Sequence, residues 1–438
     1  MSKQELYDNE IDRREYRRAR RKRNQLIAII VVIVVGLALV AGGILGVTQL
    51  MKQLNDKKHT EELQAQLAEL ADSEPAVVEA PVEEPQELTS DDYLNQIADS
   101  CIAEMSLENK VAGLFMVTPE ALTGVDTVIQ AGDTTKQKLS EYPVGGLVYF
   151  SKNIKSADQL KEMLDTTRNT MIYPVFLAVD EEGGSVSRVA GAGLADDVGD
   201  MSEIGSTCDP EKAKEAGTTI GTYLSQFGFN VDFAPVADVV SAENAVIGNR
   251  SFGSDPNVVG TMVAAEVQGL QESGVSACLK HFPGIGDTTT DTHDEKAVSE
   301  KTLEDMQQTD LPAFQSGIDA GADFVMVSHM SLPNVAGDDT PCSLSGAVIS
   351  DLLRNQLGYN GIVITDALDM SAITDSYSSA EAAVKAIEAG ADMLLMPENF
   401  EEAYQGVLDA VQNGTISEDR INESLKRIYR VKYRDRIE

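Results

Sequence analysis

The sequence has no tryptophan, four cysteines, four histidines and about half as many cationic as anionic side chains. Each shortage excludes something. Without Trp the chain lacks the ring that most readily stacks on sugars, which counts against a simple sugar-binding module. Cys101, Cys208, Cys278 and Cys342 are too few and too scattered for a disulfide scaffold or a zinc ribbon. Two disulfides or four lone thiols both fit, and Cys278 lies in an apolar run that reads as core. With 35 Lys and Arg against 71 Asp and Glu, a formal net charge of -36, a general nucleic-acid binder is excluded, because it needs a basic face. There is also no G-x-G-x-x-G or Walker segment and no repeat of solenoid type.

The charge is unevenly placed. Residues 1–24 hold nine Lys/Arg and five Asp/Glu, while the other 414 hold 26 and 66. A small basic head therefore precedes a strongly acidic body. Residues 26–47, LIAIIVVIVVGLALVAGGILGV, carry no charge and as a helix would span about 33 Å, enough for a bilayer core. The flank RREYRRARRKRN places residues 1–25 in the cytoplasm and everything after the span outside. A cleaved signal peptide is the competing reading, but the apolar region is too long for one and no clear small-x-small site follows. Residues 48–88 read as an extracellular stalk. Leu63, Leu67 and Leu70 are spaced for a short helix, and Pro75, Pro81 and Pro85 then interrupt an acidic, Ala/Val-rich stretch that gives an extended spacer.

From residue 89 to 438 the pattern changes. Eight apolar runs alternate with helical stretches: GLFMV (113–117), GLVYF (146–150), PVFLAV (174–179), VDFAPV (231–236), SACLKHF (276–282), FVMVSH (324–329), GIVIT (361–365) and DMLLM (392–396). Amphipathic segments at 156–170, 211–227, 255–273 and 378–389 separate most of them. Near-continuous apolar strands have both faces buried, as in parallel sheets. Eight strand–helix units in about 350 residues predict an α/β fold of the (β/α)8 TIM-barrel type, with a doubly wound open sheet as the alternative.

A barrel places its active site at the C-terminal ends of its strands. There the chain carries Asp180 and Arg188 after the third run, Arg250 after the fourth, Lys280 and His281 on the fifth, His329 on the sixth and Asp366 after the seventh. The three histidines outside the stalk, His281, His293 and His329, all fall on strand ends or in the loop after the fifth strand. That loop, KHFPGIGDTTTDTHDE, sets Asp291 two residues before His293. In an extended segment both side chains point the same way, so the carboxylate could hold the imidazole's tautomer and raise its basicity for general acid/base work. For this segment alone, a hydrophilic surface loop is an equal reading. Asp366 ends an apolar strand and faces basic groups, which suits a nucleophile better than a helix cap. Asp287, Asp291, His293, Asp294 and His281 are candidate metal ligands, but no H-x-H or H-E-x-x-H spacing is present and Lys280 would repel a cation. No metal or organic cofactor is expected.

KHFPG-x-G-D-x-x-x-D-x-H, DEEGGSVSR, GNRSF, LLRNQLGYNGIVITDALDM and SLKRIYRVK together resemble glycoside hydrolase family 3, and within it the bacterial β-N-acetylhexosaminidase branch. The resemblance runs from about residue 95 to 438. It implies a (β/α)8-type barrel and a retaining mechanism. It further implies Asp366 as nucleophile, His293 assisted by Asp291 as acid/base, and sugar contacts from Asp180, Arg188, Arg250, Lys280 and His281. Departures stand at three positions: the family loop usually has a second His where Ile285 stands, and the family segment after the third strand usually has Gln and Arg where Glu181 and Ser185 stand. They bear on how the loop packs and what binds beyond the first sugar. The chain also stops where other members carry a second domain that supplies a Glu acid, which argues against the β-glucosidase branch.

The expectation is an exo-acting enzyme that removes non-reducing terminal β-GlcNAc from saccharides, with muropeptides or other peptidoglycan fragments as substrates outside the membrane. A β-N-acetylglucosaminide phosphorylase and a surface sugar-binding protein that has lost catalysis remain alternatives.

Overall fold

The computed structural model describes residues 89–240, 246–288 and 297–434. These lie within a compact unit, Glu87–Glu438. The expected basic segment, the 26–47 span and the stalk lie outside the described residues. Among the described residues no helix is long and apolar enough to cross a membrane.

Helix α1 (Ser90–Ala103) opens the unit behind a capping box of Thr89 and Asp92. The apolar runs then form eight strands: β1 (Phe115–Val117), β2 (Gly146–Tyr149), β3 (Phe176–Val179), β4 (Val231–Asp232), β5 (Ser276–Phe282), β6 (Phe324–Val327), β7 (Ile362–Thr365) and β8 (Leu394–Leu395). Neighbours pair in parallel in the order β8-β1-β2-β3-β4-β5-β6-β7. The bridge Ile364–Met393 and the bond from Thr365 N to Met393 O bring the last strands together, so the sheet is a nearly closed eight-stranded barrel. Its strand residues are buried on both faces, as helices outside and packed side chains inside require.

Several strands are shorter than their apolar runs, for local reasons. VDFAPV stops at Asp232, with only the bridge Val236–Lys280 beyond, because Pro235 has no N–H to give the ladder. In DMLLM, Asp392 is taken by arginines.

The outer helices begin and end on sequence signals. Ser156 and Gln159 form a capping box before α2 (Ala157–Thr170). Asp209-Pro210 and Asp255-Pro256 start α3 (Pro210–Phe227) and α4 (Pro256–Glu272) with an Asp cap and a first-turn proline. Gly390, left-handed at φ 117°, ends α5 (Ser379–Ala389). Helices α3 and α4 pack closely. A Cβ on Gly217 would lie 2.5 Å from Glu266 O, and one on Gly269 2.4 Å from Lys214 O, so only glycine permits that approach.

The base of the barrel is closed by α6 (Glu418–Tyr433), against which α1 packs. Phe176 and Phe324 meet edge to face at 5.1 Å inside the base. Lys432 Nζ sits 4.6 Å from the Phe176 ring centroid and donates to Gly145 O. Beside them, Asp392 is fully buried and accepts from Arg354 Nη2 at 2.5 Å, Arg427 Nη1 at 3.0 Å, Ser424 Oγ at 2.7 Å and Val363 N at 3.0 Å. All four cysteines are free thiols, and Cys278 is in the core, as its apolar run suggested.

Candidate active site

At the opposite end, the C-terminal ends of the strands surround a cavity of about 460 Å³. Asp180, Arg188, Arg250, Lys280, His281 and Asp366 all line it, so the barrel brings together six of the eight residues singled out by sequence. The other two, Asp291 and His293, lie outside the described residues.

The polar floor of the cavity is an ion-pair network. Lys280, 2% exposed, places its ammonium 2.7 Å from Asp180 Oδ1 and 2.5 Å from Glu182 Oε1. Arg250 binds Glu182 through two bonds, Nε to Oε2 at 2.7 Å and Nη2 to Oε1 at 2.8 Å. Burial alone would raise the Glu182 carboxyl, but Lys280 and Arg250 override it and hold its pKa at about 2. Burial likewise opposes the charge on Lys280, and Asp180 and Glu182 overcome it and hold the ammonium above its ordinary value. Both partners therefore stay ionised, and the floor presents fixed charge to whatever occupies the cavity.

Glu182 was not among the candidates read from sequence. Strand alternation could have found it, since Asp180 faces the cavity and residue i+2 faces the same way. Glu181 turns to the other side and is fully buried. It accepts from the backbone N–H groups of Arg188 (2.6 Å), Val189 (2.7 Å) and Ala190 (2.8 Å) and from Tyr223 Oη at 3.0 Å. This departure from the family pattern thus pins the turn that carries Arg188 and does not line the cavity. The second departure, Ser185, is exposed and also outside the lining. The third, Ile285, is a cavity-wall residue.

Arg188 stands 5.9 Å from the ring centroid of Phe150, which with Phe233 supplies the aromatic lining of the cavity in this Trp-free chain. Its Nε is buried and finds no hydrogen-bond partner among the described residues. Behind the floor, Glu266 of α4 is 1% exposed, and neither of its oxygens has a hydrogen-bond partner among the described residues. Burial, with Glu182 adding to it, raises its carboxyl to about 8 against the pull of Lys280.

Asp366 follows β7, is half-buried at the cavity wall, and accepts from Ala367 N through Oδ1 at 2.8 Å. The next carbonyl, Ala367 O, accepts from His329 Nε2 at 2.8 Å, and His329 Nδ1 shares a 2.7 Å hydrogen bond with Ser343 Oγ. His329 is fully buried and does not line the cavity. It stands at a strand end as expected, but its ring supports the segment that follows Asp366 and is not among the cavity-lining residues. His281 does line the cavity, with Nδ1 2.8 Å from Asp238 Oδ2. Asp238 is a second residue that sequence reading missed, for it sits in irregular chain after β4 with no pattern to mark it. Among the described residues, no group of three or more His, Cys, Asp or Glu is arranged to hold a metal.

Comparison with known proteins bears on this geometry. The sequence profile described as "Glycosyl hydrolase family 3 N terminal domain" matches residues 106–431. A β-hexosaminidase of Stenotrophomonas maltophilia is 36% identical over 273 residues, 60% of this chain and 80% of that protein. β-Hexosaminidase A of Pseudoalteromonas piscicida is 32% identical over 323 residues, 67% of this chain, and the chain spans only about half (54%) of that relative's length. Among solved structures, a glycoside hydrolase family 3 β-N-acetylglucosaminidase from Paenibacillus sp. matches with a TM-score of 0.71 at 35% identity, covering 76% of this chain and 63% of that one. A β-N-acetylhexosaminidase from Beutenbergia cavernae matches with a TM-score of 0.68 at 31% identity, covering 75% of this chain and 99% of that one.

Proposed function

The chain belongs to glycosyl hydrolase family 3, alongside bacterial β-hexosaminidases, and we propose that it is a retaining exo-β-N-acetylglucosaminidase. The observation that carries this reading is the convergence of Asp366, Lys280, Asp180, Arg188, Arg250 and His281 on one cavity at the mouth of the barrel. In the proposed reaction a terminal β-GlcNAc occupies the cavity. Asp366 attacks the anomeric carbon while His293, oriented by Asp291, protonates the leaving oxygen. Water activated by His293 then attacks the glycosyl–Asp366 ester and releases GlcNAc with retained configuration. Lys280, Asp180, Arg250 and Glu182 form a rigid charged floor that orients hydroxyls without reorganising during the reaction. Arg188 lines the same cavity, which supports a contact with the same sugar.

We place the barrel outside the cell, held by the uncharged 26–47 span and joined through the Pro-containing 48–88 stalk. Muropeptides or other peptidoglycan fragments are the proposed substrates, because they present β-linked GlcNAc where this topology puts the cavity. The test is hydrolysis of aryl β-GlcNAc against aryl β-glucoside by the detergent-solubilised full chain, with and without phosphate. GlcNAc-selective, phosphate-independent release supports the reading. Strict phosphate dependence would make the protein a phosphorylase, and no release from either sugar would contradict it.

A further inference from the structure

The cavity-facing His281 is gripped from behind by a carboxylate that no substrate would touch. Asp238 is fully buried and outside the cavity lining. Its Oδ2 accepts from His281 Nδ1 at 2.8 Å and from the His281 backbone N–H at 3.2 Å, and its Oδ1 accepts from Ile285 N at 2.7 Å. Its own carbonyl accepts from Ser251 Oγ at 2.5 Å, the residue after the floor arginine Arg250. One side chain therefore ties together the ring, the backbone at the end of β5 and the first turn of the following loop.

We infer that Asp238 is a positioning residue that fixes the tautomer of His281. A carboxylate between N–H groups can only accept, so it requires the proton of the neutral ring to sit on Nδ1. Nε2, on the ring edge left to face the cavity, then carries a lone pair. His281 accordingly receives a hydrogen bond from a hydroxyl of the bound sugar, while Lys280 and Arg250 beside it are donors. The floor thus offers an acceptor and donors at fixed places, which selects the direction of hydrogen bonding by the sugar as well as its position. Ile285 supports the same arrangement: its backbone N–H binds Asp238, and its apolar side chain supplies no competing donor at this wall.

The inference rests on the proposed sugar site, and a double-mutant cycle separates the two. Asp238→Asn, His281→Ala and the double variant of the full chain are assayed on aryl β-GlcNAc. Each single change should lower kcat/KM by on the order of 10–100-fold, and the double variant should fall no further than His281→Ala alone. Independent, additive losses would show that Asp238 acts structurally and not through His281, and would overturn the inference. Wild-type activity in His281→Ala would instead overturn the sugar-site reading itself. A second measurement does not depend on the variants folding. With only four histidines in the chain, ¹⁵N-histidine NMR of the wild-type protein can report the His281 tautomer. A proton on Nδ1 is expected, and a neutral ring protonated on Nε2 would overturn the inference.

Discussion

The barrel carries a buried charge cluster at each end. At the base, Asp392 is enclosed by Arg354, Arg427, Ser424 and a backbone amide, and it lines no described cavity. At the mouth, Lys280 is enclosed by Asp180 and Glu182, with Arg250 closing on Glu182, and all four line the 460 Å³ cavity. The two clusters use the same chemistry, buried ions paired within hydrogen-bonding distance. They differ in what they face. The base cluster joins α6 to the strands that close the barrel, so its work is done on folding. The mouth cluster pairs its ions with one another and also lines the cavity. Burial and pairing alone do not tell the two clusters apart; position at the cavity does.

That contrast predicts opposite responses to substitution. Asp366→Asn should lower kcat on aryl β-GlcNAc by about 10³-fold or more, with the melting temperature little changed, since Asn keeps the size of Asp and its Oδ1 can still accept from Ala367 N. A variant that melts early would move Asp366 to the structural side. His293→Ala should cost about 10²–10⁴-fold, and the loss should grow as the leaving group becomes more basic. A series of substituted aryl glycosides reads that slope, and an even loss across the series would remove His293 from the acid role.

The base should behave in reverse. Asp392→Asn leaves buried arginines without their counter-charge and should cost about 3–5 kcal/mol of stability, while the folded fraction keeps its kcat. Denaturant melts and activity below the transition measure both quantities. The smallest effect is expected at Glu266, which belongs to neither face. Its folded-state value, about 8, lies above its ordinary 4.5, so the folded protein holds a proton that the unfolded chain has lost. Stability from this group is therefore complete below about pH 4.5 and falls as pH rises toward 8. Glu266→Gln removes that fall. Allowing for a buried amide left unpaired, it should be more stable than wild type by about 1–3 kcal/mol at pH 8 and no more stable at pH 4.5. A gain equal at both values would contradict the assignment.

The parts of this picture legible in the sequence share a physical reason. All eight strands were visible because burial on both faces leaves an uninterrupted apolar run, and their order around the barrel follows from parallel connection. Their lengths were less visible. Pro235 and Asp392 both sit in apolar runs, and only the tertiary contacts show that one breaks the ladder and the other serves arginines. In the site, strand-end residues such as Asp180, Lys280 and Asp366 were legible because a barrel fixes where strand ends go. Glu181 and Glu182 are adjacent, identical in type and opposite in role, and strand alternation alone separates them. His329 sits at a strand end yet is outside the cavity lining, because a strand end supplies both cavity residues and their supports. Asp238 was invisible because its partners are 43 and 47 residues away in sequence.

The central claim is that Asp366 at the mouth is the residue that reacts with the sugar. The direct measurement is to incubate the full chain with a fluorinated GlcNAc fluoride, which forms the glycosyl–enzyme quickly and releases it slowly, and then to map the labelled peptide by mass spectrometry. The account predicts one added glycosyl group, on Asp366. An active protein labelled on another carboxylate, or never labelled at all, would contradict it.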